Sequence, residues 1–240
     1  MIRLDQVMVK RGLATSRSQA ENYIKLGLVT VDGWPVLKAG QLVGPEAKVN
    51  LSLKQQYVNR AALKLAGAAE SLKLDFKDKL VLDVGSSTGG FTDYALTRGA
   101  RRVIAVDAGT DQLDARLRAN EKVELYEKTD IRQFKMSSQP DTILVDVSFI
   151  SLKNVLPSIA GLAGPHTQVV ALVKPQFEAG AQKINKGVIK NDSIRRAVMK
   201  DFEAWAKNMF VVIDKADSEI AGAKGNKERF YLLKKVPGRR

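Results

Sequence analysis

Cysteine is absent from this sequence of 240 residues, and histidine occurs once, at His166 in a predicted solvent-facing turn. Without cysteine the chain can form neither disulfides nor thiolate metal sites, and one histidine argues against histidine metal clusters and a Ser-His-Asp triad. No apolar run approaches the roughly 20 residues of a membrane-spanning helix. The charged N-terminus lacks the apolar segment of a signal peptide. The sequence therefore predicts a cytoplasmic protein that binds neither a metal nor a membrane.

Acidic residues are also scarce, with 26 Asp and Glu against 39 Lys and Arg, which gives a net charge of +13. Such an excess favours a polyanionic partner, RNA or DNA, bound largely through its phosphates. A basic enzyme without a nucleic-acid partner is the alternative. Hydrophobic residues make up 45% of the chain, enough for a substantial core. The length allows one large domain, or a small domain followed by a medium-sized one.

Residues 79–107 have the pattern of a strand, a glycine loop, a helix, a second strand and an acid. The apolar runs Leu80–Val84 and Val103–Val106 are short and rich in β-branched residues, which is typical of buried parallel strands. The glycines of the loop GSSTGG allow a ligand to approach the backbone closely, and a helix N-terminus favours an anionic group. Asp107 follows the second strand, where a carboxylate can accept both hydroxyls of a ribose. The segment therefore indicates a cofactor that contains a nucleoside.

The glycine spacing distinguishes between two such cofactors. A dinucleotide fingerprint has the form G-x-G-x-x-G, whose middle glycine makes room for a pyrophosphate. Ser87 occupies that middle position here. S-adenosylmethionine has no phosphate, so the loop fits it better than NAD. A ligand-free α/β turn remains the alternative from these residues alone.

Residues 1–58 read as a separate unit with 8 basic and 4 acidic residues, a net charge of +4. Two short amphipathic helices are predicted, the second capped by Thr15 or Ser16 with Gln19 completing a capping box. Short strands and the turn Asp32-Gly33 follow. The helices would expose a basic face for RNA, formed by Arg3, Lys10, Arg11, Arg17 and Lys25.

The stretch RLDQVMVKRGLATSRSQAENYIKLGLVTVDG resembles the alpha-L RNA-binding domain first seen in ribosomal small-subunit protein four. The shared features are the R-L-D start, the S-R-x-x-A helix and the G-x-V-x-V-x-G hairpin. The resemblance implies that this unit binds structured RNA. An ordinary solvated charged face is the alternative.

From residue 59 onward, predicted strands alternate with helices, which indicates a mostly parallel sheet covered on both faces. The first helix is predicted over 59–72, with Lys64 outside its buried face, and another over 112–118. Ligands bind at the carboxyl ends of the strands in such sheets. Side chains that follow strands here, besides the loop and Asp107, are Asp130, Asp146 and Lys174. Asp146 and Lys174 form a plausible catalytic pair beside the cofactor, with a surface ion pair as the alternative.

Six further segments, taken together, resemble the TlyA family, long described as haemolysins and similar to FtsJ-type ribosomal RNA 2′-O-ribose methyltransferases. The segments, in chain order, are VNRAALKL, DVGSSTGGFTDYALTRGA, VDAGTDQLDARLR, DVSFISLKNVLP, LVKPQFEAG and GNKERFYL. The resemblance implies a Rossmann-like class I S-adenosylmethionine-dependent methyltransferase sheet at 59–240. A small α+β RNA-binding domain and a linker would precede it at 1–58.

The same resemblance implies the roles of individual residues. It carries the family's catalytic tetrad onto Lys64, Asp146, Lys174 and Glu228. Its cofactor-binding residues map onto Gly85, Ser86, Ser87, Thr88, Gly89, Gly90, Phe91, Asp107 and Asp130. Arg60 adds an RNA contact, although Asn59 stands where the family usually has serine. Asp130 lies in Thr-Asp-Ile where the family often has Asn-x-Arg.

The implied reaction suits these residue types. A ribose 2′-hydroxyl is a poor nucleophile that must lose its proton as it attacks a methyl group, and a lysine accepts a proton only when burial or a nearby cation disfavours its charge. Lys174 would be the base or would position the hydroxyl, Lys64 would act on it electrostatically, and the two carboxylates would orient the lysines. The expected substrate is a cytidine of large-subunit rRNA, because the chain resembles the shorter form of the family. A membrane-lytic haemolysin and an inactive ribosome-assembly factor are the alternatives, and the oligomeric state stays open.

Overall fold

The computed structural model describes residues 1–52, 57–179, 187–222 and 224–237. Contacts between residues divide the chain into two compact units, Met1–Arg60 and Ala61–Arg240. Each unit has its own sheets and helices. The predicted linker at 52–58 lies partly outside the described residues.

The first unit consists of two helices and two small sheets. The elements of this unit are β1 (Ile2–Arg3), α1 (Leu4–Lys10), α2 (Arg17–Lys25), β2 (Val29–Val31), β3 (Trp34–Pro35), β4 (Leu42–Val43) and β5 (Val49–Leu51). One sheet has the strand order β3-β2-β5, and the other pairs β1 with β4. The predicted pair of helices followed by short strands is confirmed.

The N-terminus of α2 shows why this helix begins at Arg17. Ser16 Oγ accepts the N–H of Gln19 at 3.2 Å, as the predicted cap requires. The Gln19 side chain does not return to Ser16, because its Oε1 accepts the N–H of Thr15 at 2.7 Å. Its Nε2 donates to the Tyr57 carbonyl at 2.6 Å. Gln19 therefore ties the start of α2 to the end of the linker.

The second unit is built on a seven-stranded sheet with the order β11-β12-β10-β9-β6-β7-β8. Strand β12 runs antiparallel to both of its neighbours, and the pairs from β10 to β8 are parallel. The strands are β6 (Leu80–Val84), β7 (Arg102–Val106), β8 (Val123–Tyr126), β9 (Thr142–Val145), β10 (Gln168–Val173), β11 (Phe210–Asp217) and β12 (Arg229–Lys235). The helices are α3 (Arg60–Ser71), α4 (Gly90–Thr97), α5 (Ala115–Arg118), α6 (Leu152–Leu162), α7 (Pro175–Glu178) and α8 (Asp192–Ala206). The predicted, mostly parallel α/β sheet is confirmed.

Strand β6 lies inside this sheet, and all five of its residues are buried. It is paired in parallel with β7 on one side and β9 on the other. A strand covered on both faces is mostly apolar, which explains the run that the sequence shows there, interrupted only at Asp83. The loop after β6 therefore starts from the most rigid part of the fold.

The helix predicted over 112–118 is shorter than expected. Asp114 caps α5 by accepting the N–H of Arg116 at 2.9 Å, so the helix begins at Ala115. The preceding residues turn toward the glycine loop instead. A Cβ on Gly89 would collide with the side chains of Leu113 and Leu117. The prediction was wrong because the cap and this packing override the local helical period.

One carboxyl group is buried inside the second unit. Asp83, in β6, is completely shielded from solvent and accepts a hydrogen bond from Thr92 Oγ1 at 2.6 Å. Burial, opposed by the Thr92 hydrogen bond and reinforced by the nearby charge of Asp146, raises the pKa of Asp83 to about 7. Since this pKa lies above the unfolded value of 3.8, the folded state binds the proton more tightly. Asp83 therefore favours folding less as the pH rises from about 4 towards 7.

We expect Thr92→Val to lower the free energy of unfolding by about 1–3 kcal/mol, with the larger loss at pH 8. Asp83 is mainly ionised there, so the lost hydrogen bond is one to a charge. Urea unfolding at pH 5 and pH 8 measures the difference.

A matched control is Thr97→Val on the same helix, because the Thr97 hydroxyl donates to the Tyr94 carbonyl at 2.8 Å. It should cost the same free energy at both pH values. Equal losses at both pH values for Thr92→Val would contradict the raised pKa of Asp83.

Candidate functional site

The carboxyl ends of the parallel strands meet at one edge of the seven-stranded sheet. Gly85, Asp107, Asp146 and Lys174 directly follow β6, β7, β9 and β10. Strand β12 runs the other way, and its first residue pairs with Val173 at the end of β10. Glu228, just before β12, therefore lies at the same edge as Lys174, because adjacent strands are only about 4.8 Å apart.

Lys64 and Glu228 form a buried ion pair at this edge. Their charged atoms are 2.6 Å apart, and their side chains are 7% and 2% exposed. The expectation that Lys64 lies outside the buried face of its helix was therefore wrong, because Glu228 compensates the charge and lets it be buried. Leu63 and Ala66 of the same helix are only half-buried. Removing one partner of such a pair leaves an uncompensated buried charge.

Lys174 forms the second ion pair. Its Nζ lies 2.7 Å from Asp146 Oδ1, and the two side chains are 11% and 14% exposed. The same nitrogen donates a hydrogen bond to Ser148 Oγ at 2.7 Å. The contact with Asp146 is ionic, since Oδ1 has no hydrogen-bond donor among the described residues. The four residues of the predicted tetrad thus form two Lys–carboxylate pairs at one edge of the sheet.

The loop after β6 requires glycine at two positions. Gly85 has φ +81°, and a Cβ there would lie 2.7 Å from the backbone oxygen of Asp146. Gly89 has φ +95° at the N-terminus of α4. The loop therefore passes directly against the strand end that carries Asp146, and no larger residue fits there.

Asp107 is held in place by the backbone. Its Oδ2 accepts the N–H of Ser87, and its Oδ1 accepts the N–H of Gly109, each at 2.7 Å. A carboxylate oxygen has two lone pairs, so each oxygen can accept one more hydrogen bond. This is the arrangement that two vicinal hydroxyl groups need.

A cavity of about 470 Å³ opens between the glycine loop, Asp107 and Asp146, within the usual range of about 300–1,000 Å³ for small-molecule sites. Predicted residues that line it are Gly85, Ser87, Asp107, Asp130 and Asp146. Asp130 is bound there by Arg132 Nη2 at 2.5 Å, and this hydrogen bond lowers the pKa of Asp130.

Other residues of the predicted cofactor set lie away from the cavity lining. Ser86, Gly89, Gly90 and Phe91 are buried, and Thr88 is exposed. The Phe91 ring packs against Phe230, with ring centroids 6.0 Å apart. These residues shape the loop and the start of α4.

Buried polar atoms without partners lie near this loop. Among the described residues, Ser86 Oγ, Asp83 Oδ1 and Asp146 Oδ1 have no hydrogen-bond partner. Buried polar atoms normally find one. Asp83 Oδ1 is enclosed by the protein, and Asp146 Oδ1 is in ionic contact with Lys174. Sequence reasoning missed Asp83, although it stands two residues before Gly85 in the quoted motif.

Sequence reasoning also missed the loop that follows Asp146. Phe149 is 92% exposed and has φ +65°, an unusual backbone conformation for an aromatic residue. Its ring lies 5.3 Å from that of Phe177 in α7. Glu178 fixes the same loop by accepting hydrogen bonds from Ser151 Oγ at 2.5 Å and from the Leu152 N–H at 2.7 Å. The exposed aromatic in the DVSFIS run was the available signal.

The predicted RNA-binding side chains of the first unit are differently engaged. Asp5 is buried and binds Arg3 at 2.7 Å and Arg17 at 3.3 Å. Arg11 donates to the carbonyls of Pro45 and Ala47. Lys10 and Lys25 are exposed, while Arg60 is half-buried at the start of α3.

The part of the chain that the structure describes contains no helix long and apolar enough to cross a bilayer. It also contains no cluster of three or more His, Cys, Asp or Glu side chains that could hold a metal ion.

Comparison with known proteins gives the family. Residues 57–235 match the family model of FtsJ-like methyltransferases, and residues 2–49 match that of the S4 domain. The 23S rRNA (cytidine-2′-O)-methyltransferase TlyA of Campylobacter jejuni is 43% identical over 182 residues, covering 75% of this chain and 71% of that protein. The 16S/23S rRNA (cytidine-2′-O)-methyltransferase TlyA of Mycobacterium tuberculosis is 36% identical over 239 residues, covering 97% and 89%.

Two further matches support the same family. Hemolysin A of Brachyspira hyodysenteriae is 34% identical over 235 residues, covering 95% of this chain and 97% of that protein. A solved structure from Streptococcus thermophilus, named as a candidate hemolysin, superposes with a TM-score of 0.76 at 37% identity, covering 98% and 88%. The resemblance seen in the sequence motifs is thereby confirmed. The chain belongs to the FtsJ-like methyltransferase family, in the TlyA and hemolysin A group that carries an N-terminal S4 domain.

Proposed function

We propose that this protein transfers a methyl group from S-adenosylmethionine to the 2′-hydroxyl of a cytidine in ribosomal RNA. The observation that carries the proposal is the pair of Lys–carboxylate contacts, Lys64–Glu228 and Lys174–Asp146, at the edge of the sheet where the cavity opens. Residues 59–240 would carry out the transfer, and residues 1–58 would bind the RNA. Ribosomal RNA as the substrate implies that the protein works in the cytoplasm.

The names of the relatives support this substrate. The Campylobacter jejuni and Mycobacterium tuberculosis relatives are both named as rRNA (cytidine-2′-O)-methyltransferases. The first is named for 23S rRNA alone and has the higher identity, 43% against 36%. We therefore propose the large subunit as the target.

The residues around the cavity fit S-adenosylmethionine. Asp107 can accept the two ribose hydroxyls, since each of its oxygens has a lone pair to spare. In the loop Gly85–Gly90, which Phe91 follows, Gly85 and Ser87 line the cavity and can meet a small polar group of the cofactor. Asp130 lines the part of the cavity beyond Asp107. When bound, this cofactor supplies a methyl group activated by a sulfonium.

Lys174 is proposed to act on the 2′-hydroxyl. The hydrogen bond to Ser148 and the contact with Asp146 restrict rotation about its Cε–Nζ bond. The remaining position on the nitrogen can then meet the 2′ oxygen, either to orient it or to take its proton. In the base role, Lys174 would first release its own proton to solvent. The proton of the 2′-hydroxyl would then pass to the neutral amine as the O–CH₃ bond forms and the S–CH₃ bond breaks. Alignment of the reacting atoms supplies much of the rate in such a displacement.

Lys64 and Glu228 are proposed to support Lys174 electrostatically. Their charges balance within the buried pair, so Lys64 keeps a fixed position beside the end of β10. A fixed dipole at this position costs no reorganisation during the reaction. Asp146 would orient Lys174 in the same way.

Binding of the RNA is proposed to combine charge with stacking. Arg3, Lys10, Arg11, Arg17, Lys25 and Arg60 supply positive charge for phosphates, as the net charge of +13 suggests. Phe149, exposed beside Asp146, offers a ring on which the base of the target nucleotide can stack. A nucleotide held in this way would present its ribose to Lys174.

Transfer of tritium from labelled S-adenosylmethionine to separated ribosomal subunits and to whole ribosomes tests the function. A 2′-O-methyl group blocks alkaline cleavage of the next phosphodiester bond. The label should therefore appear in alkali-stable dinucleotides that contain cytidine, from large-subunit rRNA. Label on a base, or transfer to the small subunit alone, would contradict the proposal.

We expect Lys174→Ala to lower turnover by about 10²–10⁴-fold, the usual contribution of a positioned acid or base. Binding of S-adenosylmethionine, measured by calorimetry, should stay unchanged. Lys122→Ala is the control, because Lys122 is exposed and precedes β8 at the opposite edge of the sheet. Turnover near that of the wild type in Lys174→Ala would remove Lys174 from the mechanism.

Asp107→Ala should weaken binding of S-adenosylmethionine by about 10–100-fold, because hydrogen bonds to a charged group contribute about 1.5–3 kcal/mol. Calorimetric titration measures the affinity. Asp111→Ala removes a nearby carboxylate whose side chain is 88% exposed, and it should bind normally. Unchanged affinity in Asp107→Ala would show that the ribose is not bound there.

Ser148→Ala should lower kcat by about 10–100-fold, since a loosely positioned reacting group loses rate on this scale. Affinity for S-adenosylmethionine should not change. Ser148→Thr keeps the hydroxyl and should recover most of the loss. If Ser148→Ala turns over normally while Lys174→Ala does not, Ser148 has no part in positioning the lysine.

A further inference from the structure

Trp34 is the most conspicuous apolar side chain on the surface of the first unit. It is 78% exposed, and Leu37, three residues later, is 66% exposed. The other tryptophan of the chain, Trp205, is half-buried and packs near Phe202, with ring centroids 6.4 Å apart. A tryptophan side chain offers about 150–250 Å² for burial. The exposed ring of Trp34 therefore leaves apolar surface in water, and a partner that covers the ring would gain the free energy of burying it.

The backbone beneath Trp34 is firmly held. The β2–β3 turn has φ +51° at Asp32 and +87° at Gly33, and Trp34 pairs directly with Val31. Asp32 Oδ1 accepts the N–H of Lys48 at 2.8 Å, and the Asp32 N–H donates to the Lys48 carbonyl at 2.8 Å. An aromatic ring on such a hairpin loses little further entropy when a ligand stacks on it.

The surroundings of Trp34 carry positive charge. Lys48 is exposed on the strand next to the turn, and Lys38 is exposed beside Leu37. Leu37 itself lies close to Gly27, just after the exposed Lys25 at the end of α2. One acid, Asp32, lies in the turn itself, against three exposed lysines in this part of the unit, Lys25, Lys38 and Lys48. An exposed ring among lysines suits a ligand with both a flat apolar face and a negative charge.

We propose that Trp34, with Leu37 beside it, is a stacking site for an unpaired base of RNA. The inference rests on the proposed RNA substrate and adds a contact outside the basic helix face and outside the methyl-transfer site. Bases in loops and bulges expose their faces, whereas a duplex hides them, so the site selects unpaired nucleotides. The neighbouring lysines would hold the adjoining phosphates.

Tryptophan fluorescence tests the contact directly. In the full chain with Trp205→Phe, Trp34 is the remaining tryptophan. Titration with a single-stranded oligoribonucleotide should quench its emission because the base stacks on the indole. The same strand in a duplex should bind through its phosphates with little quenching. Equal quenching by both, or quenching by neither although both bind, would overturn the proposal.

Affinity for protein-free large-subunit rRNA provides the second measurement. Trp34→Ala should weaken binding by about 5- to 140-fold, which corresponds to 1–3 kcal/mol for one stacked base. Trp34→Phe should keep most of the affinity, and Trp34→Leu should not. The slope of log K against log salt should stay the same in Trp34→Ala and fall by about one in Lys48→Ala.

Three outcomes separate this inference from others. If Trp34→Ala binds protein-free rRNA normally but is defective with assembled subunits, the partner of Trp34 is a ribosomal protein and the stacking proposal fails. If all Trp34 variants bind rRNA like the wild type and methylation proceeds, the stacking site fails while the proposed function stands. If the wild type neither binds nor methylates rRNA, the proposed function itself fails.

Discussion

Compensation of charge at one edge of the sheet determines how the second unit is assembled. Lys64 and Glu228 are 164 positions apart in the chain and almost fully buried. Either charge alone would be costly to remove from water, so each residue depends on the other. Lys174 and Asp146 form a second pair of compensating charges, and their side chains are slightly more exposed. Helix α3 and the ends of β9, β10 and β12 are therefore fixed together by the same charges that the chemistry needs.

Local sequence patterns predicted the central part of the fold well. The buried runs at β6, β7, β9 and β10 are rich in β-branched residues. Their hydrophobic pattern and the residues that flank them are therefore enough to identify them as strands. Patterns failed where a distant residue decides the outcome. The burial of Lys64 depends on Glu228, and the two-residue strands β1 and β4 exist only as partners of each other. No window of neighbouring residues contains that information.

The residues of the candidate site likewise fall into two groups, those that a local motif identifies and those whose role depends on a distant partner. Motif resemblance named the tetrad, the glycine loop and Asp107 because each stands in a short run of residues that the family shares. The loop, Asp107, Asp146 and Lys174 also follow strand ends. The resemblance did not name Ser148, whose importance comes from a hydrogen bond to Lys174, 26 residues away. It also passed over Asp83, which is shielded by the strands on both sides and whose Oδ1 lacks a partner among the described residues. Phe149 was unpredictable in a further sense, since its positive φ is a property of the folded loop.

The two units use different physical means to engage an RNA. In the second unit, charges are buried and paired, so salt has little effect on them, and their positions determine the chemistry. In the first unit, charges are exposed and their attraction to phosphate is strongly screened by salt. Charge alone would bind any polyanion, including the duplex regions that make up most of a folded rRNA. A fixed aromatic ring such as Trp34 adds an interaction that salt does not screen and that paired bases cannot satisfy. Stacking on Trp34, as proposed, would therefore select an unpaired nucleotide, which the basic face by itself would not do.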